Sequence, residues 1–544
     1  MQRRGQEHLP RKGSPYGKVY KIRGYQRNMD SLMNGLLKEL EEIKQRNING
    51  GGPDKIAKQH AKEALTARER IDLLVDPGSF EEVGSLSAEL RPPLDGINRP
   101  SPYDGVVIGT AKVNRRPIAV YSTDFTVMSG AVGEQYAWKI ADTVDFAGKA
   151  QIPVVGLLDS VGMRISLKES GGGFDGFAKI LRNQSLYSGV IPQLQLVLGP
   201  CIGLVSYVAI MGDFLIATNN NSLMWLGGQR DTETSGNADY HMEYSGQYDM
   251  VAKNDEEAIR KLKDLFSYVP QNCWQKPSFV ETGDDPNRRD DELLEVLPNN
   301  PKFTYDIHEI IEKIVDNGEF LEIKENYAPN IVVGFCRFGG WPVGLVANNP
   351  DELAGTLEPD SADKYYRFLM FLDAFNIPIV DLVDTTAFIP GDEWERRAVL
   401  RHGAKLLHAY SIATIPKITV ILRRAYGGAN LVMGSKGMGS DFVFGWPTGE
   451  MAPAGPEGVL GAVYHKELAE AKEKGNHDET YHSLLNKIRQ DFSVMSCGKR
   501  WSAGYSVHEV IDPRDTRRKI VTAIQALKNK YKEIPDKKYG IEPP

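Results

Sequence analysis

Ile152-Pro153-Val154-Val155-Gly156-Leu157-Leu158-Asp159 returns as Ile377-Pro378-Ile379-Val380-Asp381-Leu382-Val383-Asp384, 225 positions later. Each octapeptide reads as an apolar strand entered through Ile-Pro and left at an aspartate. In both, a Gly-containing loop and a helical pattern follow. A second Ile-Pro, a second apolar strand and a Gly-rich turn opening a helix come next. The register extends outward. Gly109 and Gly334, Pro117 and Pro342, and Gly203 and Gly428 keep the offset of 225, while Ile191-Pro192 and Ile415-Pro416 stand 224 apart. A register held within one residue over about 95 positions marks a duplicated domain, and its period is far too long for a solenoid. Short β-rich runs at 106–113, 117–122, 154–158 and 194–198 alternate with helical patterns at 132–150 and 174–188, which predicts an α/β architecture.

The rest of the chain is organised around the two copies. Residues 1–79 read as an N-terminal arm and helices, 80–275 as the first copy and 276–299 as an Asp-, Asn- and Pro-rich linker. Residues 300–515 read as the second copy and 516–544 as a C-terminal helix and tail. Leu32, Leu36, Leu37, Leu40 and Ile43 give a helix over 29–48, stopped by Gly50-Gly51-Gly52-Pro53. A second helix covers 54–75, with a restart at the capping box Thr66-Ala67-Arg68-Glu69. The basic stretch 1–28 reads as a solvated arm or an acidic-partner contact, with a transit peptide as the less favoured alternative because Ser14 is its only Ser or Thr.

Composition narrows the function. The 544 residues include 65 Lys and Arg against 72 Asp and Glu, so nothing favours nucleic-acid binding by counterion release. The four cysteines lie far apart with no C-x-x-C pair, which points to a reducing, cytoplasmic setting (the mitochondrial matrix in a eukaryote). No uncharged apolar run is long enough to span a membrane.

Two turns carry the chemistry. Gly199-Pro200-Cys201-Ile202-Gly203-Leu204 and Ala425-Tyr426-Gly427-Gly428-Ala429-Asn430 each place a strand end, a glycine and a helix start together. Such a turn aims free backbone N–H groups at a phosphate, or at an oxyanion that develops in a transition state. Other candidates are poorer. Gly171-Gly172-Gly173 fits neither the P-loop nor the dinucleotide fingerprint. His241, His402 and His408 are too scattered for a metal motif, and Ser160 and Ser435 lack a nucleophile elbow. Asp159 and Asp384 end strands, either as general bases or as hydrogen-bonding posts.

At these turns the chain resembles the carboxyltransferase (β) subunits of biotin-dependent acyl-CoA carboxylases, closest to the propionyl-CoA carboxylase type. The stretches that carry the resemblance are Leu65–Ile71 with Asp76–Phe80, Ser188–Gln193, Gly199–Cys201, Asp373–Pro378, Arg401–Leu407, Ala425–Ala429, Trp446–Thr448 and Ile511–Arg514. It runs from about residue 50 to 530. It implies two tandem crotonase-like domains of the ClpP/crotonase superfamily, β-β-α superhelices, in a homo-hexameric core. Active sites then lie between the N-terminal domain of one subunit and the C-terminal domain of another. It implies transfer of a carboxyl group between carboxybiotin on a carrier protein and the α-carbon of an acyl-CoA. By resemblance, the N–H groups of Gly203 and Leu204 hold the thioester enolate, and those of Gly428 and Ala429 hold the biotin ureido oxygen. Gly162, Met163, Arg164 and Leu431 fall on the CoA and acyl side; Phe388, Pro390, Gly391, Tyr426 and Gly427 fall on the biotin side. No metal is implied. The chain has no Met-Lys dipeptide and no ATP-grasp region, so biotin is expected on a partner subunit, with biotin carboxylase on another.

Four positions depart from the family pattern. Ile202-Gly203-Leu204-Val205 replaces Ala-Gly-Gly-Ala, and Ser160-Val161-Gly162-Met163-Arg164 replaces Ser-Gly-Gly-Ala-Arg. Leu431 stands where an acidic residue is usual, and Ser245-Gly246-Gln247-Tyr248-Asp249 replaces Ser-Gly-Val-Ala-His. They suggest an acyl group other than plain propionyl or acetyl. The alternatives are the carboxyltransferase of a decarboxylase of the glutaconyl-CoA type, a noncatalytic scaffold subunit, and a crotonase-fold hydratase or isomerase.

Overall fold

Among the described residues, sixteen strands form two eight-stranded sheets, one in each copy of the repeat. A computed structural model describes residues 23–88, 101–164, 172–300, 303–495, 506–538 and 540–543. Most of the basic N-terminal stretch, Gly171 and Cys497 lie outside them. Met1–Asn49 and Gly50–Pro544 are separate compact units. The first holds the helix Arg23–Ile48, whose Leu32, Met33, Leu36 and Leu37 are exposed. In the second, Pro53–His60 and Ala67–Leu74 form two helices, so the expected restart is a full break. The reciprocal Thr66–Glu69 capping box opens the second of these.

The first sheet contains β1 (Glu81–Val83), β2 (Val106–Val113), β3 (Arg116–Thr123), β4 (Val154–Ser160), β5 (Gln193–Ile202), β6 (Phe214–Thr218), β7 (Leu223–Trp225) and β8 (Met250–Ala252). Its order is β1-β2-β3-β4-β5-β6-β8, with β7 on the far end of β5. The second contains β9 (Leu321–Ile323), β10 (Ile331–Phe338), β11 (Trp341–Asn348), β12 (Ile379–Thr385), β13 (Lys417–Tyr426), β14 (Phe442–Gly445), β15 (Glu450–Ala452) and β16 (Glu509–Val510). It repeats the same order, with β15 on β13.

The hairpins that start each sheet show why the pattern recurs. β2 and β3 are joined at Asn114-Arg115, and β10 and β11 at Gly339-Gly340, all four with positive φ. That is the turn whose twist matches antiparallel strands. Asp76 accepts the N–H groups of Asn114 and Arg115 at 3.0 and 2.7 Å. Asp316 accepts those of Gly339 and Gly340 at 2.8 and 2.7 Å. β1 and β9 add antiparallel to the outer edge of each hairpin, whereas from β3 and β11 onward every pairing is parallel. β4 and β12 are buried along their whole length, as strands covered on both faces must be.

Register corrects one expectation. Val154 pairs with Gln193 and Ile379 with Lys417; later Ser160 pairs with Cys201 and Thr385 with Ala425. β5 and β13 therefore stay 224 apart up to the turns. The structural counterpart of Gly203 is Gly427, not Gly428.

An aromatic seam joins the two halves. Phe214 meets Phe371 edge-on at 4.6 Å, and Phe335 meets Phe368 at 5.1 Å and stacks on Tyr268 at 5.7 Å. Arg337 lies over the Tyr268 ring and donates to the Ser267 carbonyl at 2.9 Å. The stretch 276–299 is pinned rather than loose. Arg517, buried, donates to the Asp285 carbonyl and pairs with Asp284 and Asp316. No helix among the described residues is long and apolar enough to cross a membrane.

Candidate active site

β5 and β13 each run into a glycine with positive φ and then a short helix. Gly203 turns at φ 70° and ψ −135°, and Leu204–Ile210 is helical. Gly427 has φ 56° and begins the helix Gly427–Val432. Glycine is the residue that takes such angles without strain.

The Gly203 N–H is not a free donor. It donates to the Trp225 carbonyl at 2.9 Å, where β7 pairs with the end of β5. The Ser206 N–H returns to the Gly203 carbonyl at 3.0 Å. The groups at the helix start with no intrahelical acceptor are therefore the N–H groups of Leu204 and Val205. The expected donor pair, Gly203 and Leu204, moves on by one residue. At the offset of 224 the new pair superimposes on Gly428 and Ala429, the pair expected in the second turn. Trp225 was invisible to sequence reasoning, because Leu223–Trp225 is too short to stand out as a strand.

A loop is pressed on each turn, again in matching positions. Val132 and Met163 form an isolated parallel bridge, and so do Leu357 and Phe388, each residue displaced by 225. The Val132 N–H donates to the Gly162 carbonyl at 2.9 Å, and the Leu357 N–H to the Ala387 carbonyl at 3.0 Å. Gly162, at φ 101°, lies so close to the first turn that a Cβ there would stand 2.8 Å from the Ile202 carbonyl oxygen. On the second turn the Phe388 ring would meet a Cβ on Gly428 at 3.7 Å. Gly428, Pro390 and Gly391 are exposed. Tyr426 is buried and gives its hydroxyl to Glu450, which anchors the strand end.

Arg164 and part of the stretch Ser245–Asp249 are tied into the scaffold. The Arg164 guanidinium donates to Asp104 at 2.9 Å and to the Ala131 carbonyl at 3.0 Å, which braces the loop beside the first turn. Within the stretch Ser245–Asp249, Tyr248 is buried in the core that also holds Cys201 and Val205 of the first turn. Asp249 accepts the Leu215 N–H at 2.7 Å and pairs with Lys324 at 3.0 Å, on the seam between the halves. Leu431 is exposed on the helix of the second turn. Around the first turn Val161, Tyr207 and Leu226 are exposed, which gives it an apolar rim.

The strand-ending aspartates are posts, not bases. Asp159 accepts from Arg70 Nη1 at 3.0 Å and from Gln59 Nε2 at 2.9 Å. Burial pushes its carboxyl up to about 6, against the pull of Arg70. Asp384 accepts from Arg423 at 2.9 Å, Arg424 at 2.6 Å and the Tyr305 hydroxyl at 3.0 Å. His241 is likewise structural. Its Nε2–H donates to the Met224 carbonyl at 2.8 Å, Nδ1 meets Ser245 Oγ at 2.7 Å, and burial lowers its pKa. What faces the turns is backbone N–H and apolar surface, and among the described residues no cluster of three His, Cys, Asp or Glu could hold a metal.

Comparison with known proteins agrees with this geometry. Residues 58–541 match the carboxyl transferase domain family. The chain is 39% identical over 521 residues to the carboxyltransferase subunit of propionyl-CoA carboxylase from Haloferax mediterranei, covering 94% of this chain and 99% of that one. It is 37% identical over 517 residues to the methylmalonyl-CoA decarboxylase subunit alpha of Propionigenium modestum, covering 93% and 98%. Among solved structures it is similar to transcarboxylase 12S, a hexamer determined with methylmalonyl-coenzyme A and methylmalonic acid bound. There the TM-score is 0.87 at 38% identity, over 94% of this chain and 99% of that chain. Carboxyltransferases of this kind use an acyl-CoA and biotin carried on another subunit. The chain belongs to the carboxyl transferase family and is a biotin-dependent acyl-CoA carboxyltransferase.

Proposed function

We propose that the chain moves a carboxyl group between biotin on a carrier subunit and the α-carbon of an acyl-CoA of the propionyl-CoA/methylmalonyl-CoA type, the type its relatives support in place of the different acyl group that the four departures suggest. The matched pair of turns carries this reading. Leu204 and Val205 donate their N–H groups to the thioester oxygen as it gains enolate charge. Gly428 and Ala429 donate theirs to the biotin ureido oxygen. Biotin supplies the carboxyl group and, at its ureido nitrogen, the base. The residues fit such a ring: Gly428 is exposed and has no side chain, and Phe388 offers a flat apolar wall beside it. With Asp159 and Asp384 bound to arginines, the protein contributes preset donors, apolar walls and exclusion of water. Each preset donor is worth about 2.7–4 kcal/mol of transition-state stabilisation. The chain works in a hexameric core with biotin carboxylase and carrier-protein partners, in the cytoplasm or, in a eukaryote, the mitochondrial matrix.

Leu204→Pro tests the reading. Leu204 is the first helical residue, where proline fits and removes only the N–H. Biocytin-dependent decarboxylation of methylmalonyl-CoA should fall by about 10²–10³ in kcat, while Leu204→Ala keeps its rate within a few-fold. Equal rates for the folded Pro and Ala variants would refute the assignment.

A further inference from the structure

The end of the second sheet opposite its turn holds a cavity of about 270 Å³. It opens where Trp341-Pro342, Pro378 and Pro416 lead into β11, β12 and β13. β13 has ten residues, so this end lies about 30 Å along the strand from Gly427. Four lysines line the cavity, Lys276, Lys528, Lys530 and Lys532, and no carboxylate does.

The first copy shows what this place looks like when filled. There the segment after the last helix, Asp255–Tyr268, closes over the strand starts with neutral groups. Gln271 Nε2 donates to the Pro117 carbonyl at 2.5 Å and Asn272 Nδ2 to the Gln151 carbonyl at 2.9 Å. Arg116, the counterpart of Trp341, lies 3.9 Å over the Phe266 ring and donates to Gln271 at 3.1 Å. In the second copy the segment after the helix Thr516–Ala526 reads Leu527-Lys528-Asn529-Lys530-Tyr531-Lys532 and leaves the space open.

The cations are fixed in place. Lys530 Nζ donates to the Ile415 carbonyl and Asp441, both at 2.7 Å. Lys532 Nζ donates to the Ser411 and Ala413 carbonyls at 2.8 and 3.1 Å. An ammonium has three donors, so each keeps one. Lys276 Nζ donates to the Lys528 carbonyl at 2.5 Å, and Lys528 Nζ stands 4.8 Å over the Trp341 ring. Among the described residues, only Lys530 of the four has an ion-pair partner, Asp441. Burial, and after it Lys530, lower the Lys532 pKa against the opposing pull of Asp373 and Asp441.

We propose that this cavity is an anion site separate from the carboxyl-transfer centre. It takes a small organic anion, a phosphate ester or carboxylate on a flat apolar body, with the charge among Lys528, Lys530 and Lys532 and the body against Trp341.

Calorimetric titration of the whole assembly with uridine 5′-monophosphate, benzoate and uridine tests this. One anion is expected to bind once per chain, with neutral uridine at least tenfold weaker. Lys528→Gln/Lys532→Gln should weaken that anion at least tenfold, about 1.4 kcal/mol, and Lys528→Arg/Lys532→Arg should keep it within threefold. Preference for the monophosphate assigns a phosphate ester, and preference for benzoate a carboxylate. The proposal is overturned if neither saturates at millimolar concentration, if uridine matches the monophosphate, or if the folded Gln variant binds like the parent. Should the Gln variant fail to fold, the Arg variant and the ratio of monophosphate to uridine decide.

Discussion

Asp159 and Asp384 occupy equivalent strand ends but recruit different partners. Arg70 comes to Asp159 from the helix Ala67–Leu74 and also binds Asp255 at 2.8 Å. Asp384 takes its arginines from the neighbouring strand β13. Gly199 leaves the room that the first arrangement needs, since a Cβ there would stand 2.1 Å from Asp159 Oδ1. Asp159→Ala leaves Arg70 buried with Asp255 alone and is expected to cost about 3–5 kcal/mol in urea unfolding. Lys364 gives a pH signature. It is buried, donates to the Tyr327 and Ala328 carbonyls, and burial lowers its pKa to about 7. Between about pH 7 and 10 the unfolded chain holds this proton and the folded chain has released it. Stability relative to Lys364→Met therefore rises with pH across that window, by at most about 1.4 kcal/mol per unit. A flat difference between the two urea-denaturation series would show that the lysine is not desolvated. The aspartates were legible as strand ends because apolar runs stop at them. Their arginines were not, because a pairing across 89 residues leaves no local period.

At the scale of elements, the strand–glycine–helix unit was legible twice, but its register was misjudged by one. The doublet Gly427-Gly428 offers two matches for Gly203, and only strand pairing chooses between them. Donor availability was hidden for a related reason: the bond that occupies the Gly203 N–H comes from the three-residue β7. Gly162 links loop to turn. Its φ of 101° and the 2.8 Å approach to the Ile202 carbonyl leave no place for a methyl group. Gly162→Ala should shift the loop against the turn and lower kcat/KM for the acyl-CoA by about tenfold or more, with a smaller effect on stability. Unchanged steady-state kinetics would mean that the loop does not position the substrate. The four departures from the family pattern separate on the same evidence of place. Leu204 and Leu431 stand at the turns, and Val161 is on the exposed rim, whereas Asp249 ties the two halves of the chain together.

Over the whole molecule, duplication explains most of what the sequence revealed. Two copies of one sheet, each with a hairpin held by an aspartate and a loop bridged beside a turn, follow from one repeated pattern. What joins the copies was not legible, because the seam uses aromatic residues that any core would use. Phe335 touches four rings there, and Phe335→Ala is expected to cost about 3–5 kcal/mol, read as a lowered urea midpoint. The central claim is that these paired turns perform carboxyl transfer on an acyl-CoA, and one assay addresses it. The purified protein is incubated with malonyl-, methylmalonyl-, ethylmalonyl-, glutaconyl- and crotonyl-CoA, with and without biocytin, and the thioesters are followed by mass spectrometry. The account predicts biocytin-dependent loss of CO2, fastest from methylmalonyl-CoA. No change in any ester, or hydration of crotonyl-CoA without biocytin, would contradict it.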